Sequence, residues 1–198
     1  MNLIVAMVAI IGYFIGAIPT GYIIARLKGI EDIRKYGSGN TGATNASRVL
    51  GRFYFFLIFF LDAGKAFIFV SAAKLVFPVV YLYCFAFCLL IGNAYSPFLP
   101  ENKQVQGSGG KGVSSLFGLL LAIDTWATLF LFIAWLLFLA FTKVVGIASV
   151  AAALSLPVYA ILFSHLRLFW LFSVGVALWI VWTHRSNIRN YWNKCCVK

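Results

Sequence analysis

The feature that most limits what this chain can fold into is a succession of long apolar runs, broken only by single charges, glycines and short polar loops. Cutting at those breaks leaves apolar segments near residues 2–25, 53–76, 79–99, 113–123, 125–141, 144–163 and 168–183. A helix of about 20 such residues crosses the hydrocarbon core of a bilayer. In lipid every backbone amide must also be bonded within its own segment, which selects helices. Charged residues are 11% of the 198, less than half the roughly 25% that a water-exposed domain carries. The expected fold is therefore an all-α integral membrane protein with seven transmembrane helices, forming one membrane-embedded domain over residues 1–198. Disordered, fibrous and disulfide-scaffold classes are excluded. The first segment is too long for a signal-peptide core and lacks a charged start, so it is expected to stay as a helix.

The ionic balance is lopsided, with 16 Lys and Arg against 5 Asp and Glu and a formal net charge of +11. Cytoplasmic loops of membrane proteins collect Lys and Arg, so this excess requires no nucleic acid. Placement of the charges also decides the crossing number. The segment 113–123 rises only about 16 Å as helix, half a hydrocarbon core, and merging it with the next would reverse the side of everything that follows. With the N-terminus outside, seven crossings put thirteen of the sixteen cations inside: Arg26, Lys28, Arg34, Lys35, Arg48, Arg52, Lys103, Lys111, Lys143, Arg185, Arg189, Lys194 and Lys198. Lys74 and Arg167 lie outside and Lys65 lies within a span. Six crossings would strand the four tail cations outside, so the expected topology has a cytoplasmic C-terminus. Trp126 and Trp170 then fall near the outer interface, Trp182 and Trp192 near the inner one, and Trp135 and Trp179 deeper, as packing residues. Cys84, Cys88, Cys195 and Cys196 form no metal or disulfide pattern and are read as reduced.

Three stretches carry chemistry. In Tyr36-Gly37-Ser38-Gly39-Asn40-Thr41-Gly42-Ala43-Thr44-Asn45-Ala46-Ser47-Arg48, glycines alternate with hydroxyl and amide residues and a cation closes the run. Glycine turns with positive φ present successive N–H groups, and a following helix start would add its dipole, a suitable cradle for an oxyanion. Gly37, Gly39 and Gly42 satisfy GxGxxG formally, but no βαβ unit surrounds them and a dinucleotide fold is rejected. The second stretch, Gly107-Ser108-Gly109-Gly110-Lys111-Gly112-Val113, has the logic of a phosphate loop. The Walker pattern fails, because Val105 stands at its first glycine and Gly112 follows the lysine; Lys111 can still meet a phosphate as a point charge. The third, His184-Arg185-Ser186-Asn187-Ile188-Arg189, begins where the last span ends, and His184 and Asn187 share a face if that helix continues. In the topology above all three stretches lie at the inner face.

Other polar residues take plainer readings. Arg185 and Arg189 read as headgroup or topology charges, and His165 as an interfacial residue. Asp62 and Lys65, three apart inside an apolar span, are costly there unless they pair, and a structural pair is expected.

Together the three stretches resemble the bacterial acyl-phosphate-dependent glycerol-3-phosphate acyltransferases, the PlsY family. The resemblance rests on Gly-Ser-Gly-Asn-Thr-Gly-Ala-Thr-Asn from Gly37 with Arg48 beyond, Gly-Gly-Lys-Gly-Val from Gly109 and His-Arg-Ser-Asn-Ile from His184. It is supported by a DxxK element at Asp62 and Lys65 and a serine at Ser149 in the sixth segment. It implies transfer of a fatty acyl group from acyl phosphate to the 1-hydroxyl of sn-glycerol 3-phosphate, giving lysophosphatidate and phosphate, the first acylation of bacterial phospholipid synthesis. The implied site lies on the cytoplasmic face of the inner membrane. No metal and no cofactor is implied, and the partners are the two substrates and the bilayer, with a single copy of the chain and no nucleic acid.

Residue by residue, the resemblance makes Gly37, Ser38, Gly39, Asn40, Thr41, Thr44, Asn45 and Arg48 one phosphate-binding group, and Gly109, Gly110, Lys111 and Gly112 the other. Ser149, His184 and Asn187 close the site, and Ser38, Arg48, Lys111, Ser149, His184 and Asn187 form the catalytic set. The family lets a substrate phosphate accept the hydroxyl proton; neither histidine here starts the HxxxxD dyad of coenzyme-A-dependent acyltransferases. The chain departs from the family pattern where Asn93 stands for a histidine, Ala66 for a glycine and Gly146 for a serine, and where the stretch from Pro100 to Ser108 is longer and more polar. The reading of a different class is a membrane transporter of a phosphorylated small solute, which also uses glycine-broken helices and cations around an anion.

Overall fold

The structure is a computed structural model that describes residues 2–100, 109–164 and 166–196. The expectations for Lys103, Gly107, Ser108, His165 and Lys198 fall outside the described residues. The described secondary structure is entirely helical, and the chain clusters into two compact units, Met1–Ile123 and Asp124–Lys198.

The first unit opens with α1 (Asn2–Ala17) and α2 (Thr20–Leu27). The sequence pattern predicts one helix over 2–25, but the helix is broken at Ile18 and Pro19. Proline has no N–H to continue the ladder and disfavours helical backbone in the residue before it. The carbonyls this break leaves open are taken up by α4 (Arg52–Lys74): Lys65 Nζ donates to Gly16 O at 3.1 Å and Ile18 O at 2.8 Å. The same ammonium pairs with Asp62 Oδ1 at 2.7 Å, and Thr20 Oγ1, in the first turn of α2, donates to that carboxylate oxygen at 2.8 Å. The expected Asp62–Lys65 pair therefore exists, and it clamps to α4 a helix break 42 to 49 residues away in sequence.

Between α2 and α4 the chain makes a 3-10 turn at Ile33–Lys35 and a short helix α3 (Ala43–Leu50). Asp32 caps the turn by accepting from Arg34 N at 3.0 Å and holds the Arg34 guanidinium at 2.9 and 2.8 Å. That guanidinium also donates to Pro100 O at 2.9 Å. Arg34 and Asp32 are 6% and 4% exposed, so one cation assigned by sequence to topology alone is a buried tie between loops. Helix α5 (Val79–Ala94) lies along α1, and α6 (Val113–Ile123) along α4. The α1–α5 approach requires glycine: a Cβ at Gly16 would strike the Leu89 carbonyl, and one at Gly92 the Tyr13 carbonyl. Small residues at a helix contact are how membrane helices come close enough for dispersion to hold them.

The second unit contains α7 (Thr125–Thr142), α8 (Val145–Phe163), α9 (Arg167–Thr183) and α10 (Arg185–Cys196). Asp124 caps α7 by accepting from Ala127 N at 3.0 Å, which is why the apolar run breaks there. The last span does not continue through His184; α10 begins anew at Arg185, bent by 57° from α9.

Among the described residues, four stretches are long and apolar enough to cross a membrane: Leu3–Leu27, Arg52–Lys74, Thr125–Thr142 and Val145–Phe163. The bent pair from Arg167 makes a fifth. Val79–Ala94 and Val113–Ile123 are apolar but shorter, at 16 and 11 residues. Helices therefore occur at all seven expected positions, with four or five of them long enough to span alone. Large apolar side chains remain exposed along them, Phe60, Phe141 and Ile161 at 66%, 84% and 67% for example, as lipid contact requires. Trp126 and Trp192 are exposed too, at 74% and 65%.

Candidate active site

The first glycine loop is built around one buried side chain. Asn45, in the first turn of α3, is fully buried. Its Oδ1 accepts from Ser38 N at 2.7 Å and Ser38 Oγ at 3.1 Å, and its Nδ2 points at Asn40 O, Tyr36 O and Ile33 O at 2.8, 3.1 and 3.3 Å. The loop can wrap this amide because Gly37 and Gly39 take φ of +62° and +72°, and because a Cβ at Gly37 would run into Asn45 Oδ1. Asn40 bridges Ser38 Oγ at 2.9 Å and Gly42 N at 3.0 Å. Beneath the loop, Ala25, Ile33, Ala43, Ala46 and Ile58 form a closed apolar cluster that fixes its height against α2 and α4. Asn45 is thus the hub of the loop, and its contribution to an anion site runs through the backbone it holds. Ser38 and Arg48 are exposed and Thr44 is half-buried. Thr44 and Arg48, four apart on α3, share one face.

The second loop docks on the first. Thr41 N lies 3.5 Å from Gly109 O, and Gly110 N donates to Asn93 O, at the end of α5, at 2.9 Å. Gly112 then turns with φ +83° into α6, whose first turn closes with Leu116 N on Gly112 O at 2.8 Å. Lys111 is held at this turn, half-buried and within electrostatic reach of Arg48. Burial pushes its ammonium down from the ordinary 10.5 to about 8, and the Arg48 guanidinium adds repulsion. Burial and the neighbouring guanidinium both disfavour the charged lysine, which is the electrostatic cost that a nearby anion would relieve.

The other candidate residues lie in the second unit. His184 is 3% exposed, and its Nδ1 is 2.9 Å from the Ile180 carbonyl. A carbonyl only accepts, so Nδ1 carries a proton, and in the neutral tautomer consistent with that bond Nε2 is the acceptor nitrogen. Asn187 lies against α8 at Gly146, where a Cβ would strike the Asn187 amide, so glycine makes this contact possible. Ser149, one turn on, donates to Val145 O at 2.8 Å and accepts from Trp135 Nε1 at 3.2 Å. Its hydroxyl ties α7 to α8. Sequence reasoning passed over Thr20, Asp32 with Arg34, and Ser115 as parts of the frame. Asn93 does carry a signal in the sequence, since a side-chain amide within an apolar run needs a bonded partner.

The sequence comparison decides the family: the family model for glycerol-3-phosphate acyltransferase matches residues 6–194. The chain belongs to the glycerol-3-phosphate acyltransferase family. A glycerol-3-phosphate acyltransferase of Thermosipho melanesiensis is 40% identical over 183 residues, covering 92% of this chain and 86% of the relative. One from Thermosynechococcus vestitus is 37% identical and covers 94% and 90%. The crystal structure of PlsY (YgiH), an integral membrane glycerol 3-phosphate acyltransferase, in its glycerol 3-phosphate form matches with a TM-score of 0.85 and 32% identity over 93% of this chain and 90% of that one. The lysophosphatidic acid form of PlsY matches with a TM-score of 0.82 and 31% identity, at the same coverage. Membership of this family accounts for the apolar helices, and the acyltransferase fold is shared along nearly the whole chain.

Proposed function

We propose that this chain transfers a fatty acyl group from acyl phosphate to the 1-hydroxyl of sn-glycerol 3-phosphate at the cytoplasmic face of a bacterial inner membrane. In this reading it crosses the bilayer seven times, with the N-terminus outside, and residues 1–198 form one acyltransferase domain. The observation that carries the reading is the meeting of the two glycine loops, Thr41 on Gly109, which sets Lys111 beside Arg48. A single phosphate needs one such cradle; an acyl phosphate and a phosphorylated acceptor need two.

In the reaction, the 1-hydroxyl oxygen attacks the acyl carbonyl carbon. The new ester C–O bond forms as the bond to phosphate breaks, and phosphate departs with the electron pair. The hydroxyl proton passes to a substrate phosphate oxygen. An acyl phosphate is a mixed anhydride, so positioning and stabilisation of developing negative charge suffice without a strong base. Arg48 and Ser38, on the loop from Gly37 to Thr41 and the helix after it, hold one phosphate, and Lys111, on the loop from Gly109 to Gly112, holds the other; the amides of Ser38, Gly39, Thr41 and Gly110 shape these loops through their bonds to Asn45, Tyr36, Gly109 and Asn93. In this reading Ser149, His184 and Asn187 keep the substrate-orienting role that the family resemblance implies, His184 through Nε2. No metal or cofactor is required.

The purified protein is expected to form lysophosphatidate from palmitoyl phosphate and glycerol 3-phosphate in metal-free buffer, and to form none from palmitoyl coenzyme A. Absence of product from folded protein sinks the proposal, and uptake of labelled glycerol 3-phosphate into liposomes without acyl donor replaces it with a transporter. A reporter fused after Trp192 is expected on the cytoplasmic side.

A further inference from the structure

We propose that Asn93 is a positioning residue for Lys111, fixing the backbone on both sides of it so that the ammonium stays at the phosphate site. This rests on the phosphate-binding reading above.

Asn93 is the next-to-last residue of α5, where a helix leaves carbonyls without intrahelical partners. Its own carbonyl accepts from Gly110 N at 2.9 Å, the residue before Lys111. The loop is pressed closely onto this end: a Cβ at Gly109 would strike the Asn93 carbonyl, and one at Gly110 would meet Asn93 Oδ1 at 2.6 Å. On the other side, Asn93 Nδ2 donates to Ser115 Oγ at 3.4 Å, and Ser115 Oγ donates to Asp62 O at 3.4 Å. Ser115 lies in the first turn of α6, four residues after Lys111. Asn93 is 8% exposed and Ser115 fully buried, so these polar groups meet away from water, where losing a partner is costly.

The bracket has a reason to exist. A lysine stem is long and flexible, and burial together with a neighbouring guanidinium favours its escape to solvent. Escape needs the backbone of Gly109 to Gly112 to yield, and three glycines in that stretch give it the freedom to do so. The main-chain carbonyl of Asn93 docks Gly110 to α5, and its side chain removes the remaining freedom by packing on Gly110 and bonding Ser115 in the first turn of α6. Its distance from the phosphate cradle is bridged by Gly110 alone, so a displacement of about 1 Å at this point is transmitted to the ammonium, and misplacement on that scale costs up to about 100-fold.

The test is a double-mutant cycle read by calorimetric binding of glycerol 3-phosphate to the full-length protein in detergent. Asn93→Ala is expected to weaken binding about ten-fold or more, raising KM more than it lowers kcat. In a Lys111→Ala background the same change is expected to add less than two-fold. Asn93→His, which keeps an N–H donor and bulk against Gly110, is expected to restore binding to within about three-fold; Asn93→Leu, of similar volume but without a donor, is not. Equal losses in both backgrounds, or a lowered kcat with unchanged KM, overturn the proposal. If Asn93→Ala does not fold, Ser115→Ala is measured in the same cycle with the same criteria. Hydrogen exchange of the peptide containing Gly109 to Gly112 supplies a substrate-free arm: it is expected to accelerate at least about ten-fold in Asn93→Ala while α4 is unchanged. Unchanged exchange overturns the positioning role, whereas a wild type that binds no glycerol 3-phosphate overturns the functional reading alone.

Discussion

Substrate affinity is expected to depend on pH, in a window set by the titration of the half-buried lysine beside Arg48 at the proposed phosphate site. With the Lys111 ammonium titrating at about 8, it is roughly nine-tenths charged at pH 7 and roughly one-tenth charged at pH 9. A phosphate dianion favours the charged form, so binding raises this value and takes up protons. Affinity is therefore full below about 8 and is lost as pH rises through the value in the complex. The loss approaches ten-fold per pH unit, because one proton is coupled to one ligand. The depression from 10.5 to about 8 corresponds to about 3 kcal/mol held against the ammonium at this site, most of it from burial and the smaller part from Arg48. The substrate does not confuse the window: a phosphate monoester loses its second proton near pH 6. Calorimetric titration with glycerol 3-phosphate from pH 6.5 to 9.5, in buffers of different ionisation enthalpy, is expected to show both the decline and the proton uptake. Lys111→Arg keeps its charge throughout and is expected to bind with a flat profile, even if more weakly. An equal alkaline decline in Lys111→Arg, or a flat profile in the wild type, would falsify the placement of this charge at the phosphate site.

Asn45→Ala removes the hub of the first loop and is expected to cut acyltransferase activity at least about 100-fold while circular dichroism stays helical; activity within three-fold of wild type shows that the loop does not need its centre. Lys65→Met leaves the buried Asp62 carboxylate with Thr20 alone and uncovers the carbonyls of Gly16 and Ile18. The expected loss is about 3–5 kcal/mol, seen as a lowered thermal midpoint in detergent and partly recovered by adding Asp62→Asn; an unaltered midpoint refutes the clamp. His184→Gln, which retains a donor and an acceptor but not their spacing, is expected to lower kcat with little change in helix content. If turnover is instead retained, Nε2 has no part in the reaction.

What could be read from the sequence, and what could not, follows the range of the interactions. Apolar helices are local: each depends on its own 15 to 25 residues, so their places were legible, as was the Asp62–Lys65 pair at helical spacing. The lengths of α5 and α6 are set by where loops fold back, and hydropathy alone overextends α5 through Leu99. The third and fourth partners of the ion pair, Thr20 and the Ile18 carbonyl, lie more than 40 residues upstream and leave no periodic trace.

The glycine loops show the same limit at atomic scale. Asn40 and Asn45 are both amides in a glycine-rich turn, and residue type gives each an equal claim to touch phosphate. Burial separates them. Asn45 turns under the loop to reach the Ile33 carbonyl, 12 residues back, on the apolar cluster between α2, α3 and α4, whereas Asn40 stays at the loop's half-exposed surface. A residue that holds a cradle and one that touches its contents obey the same local chemistry, an amide satisfying nearby N–H and C=O groups. The difference lies in which side of the loop faces the core, and that is decided by Ala25, Ile33 and Ile58, outside the motif itself. The same reasoning separates the cations: Arg34 is drawn into a buried pair by Asp32 two residues away, while backbone docking of the second glycine loop keeps Lys111 beside another cation, and an arrangement of that kind has to be set by the fold because the local electrostatics oppose it.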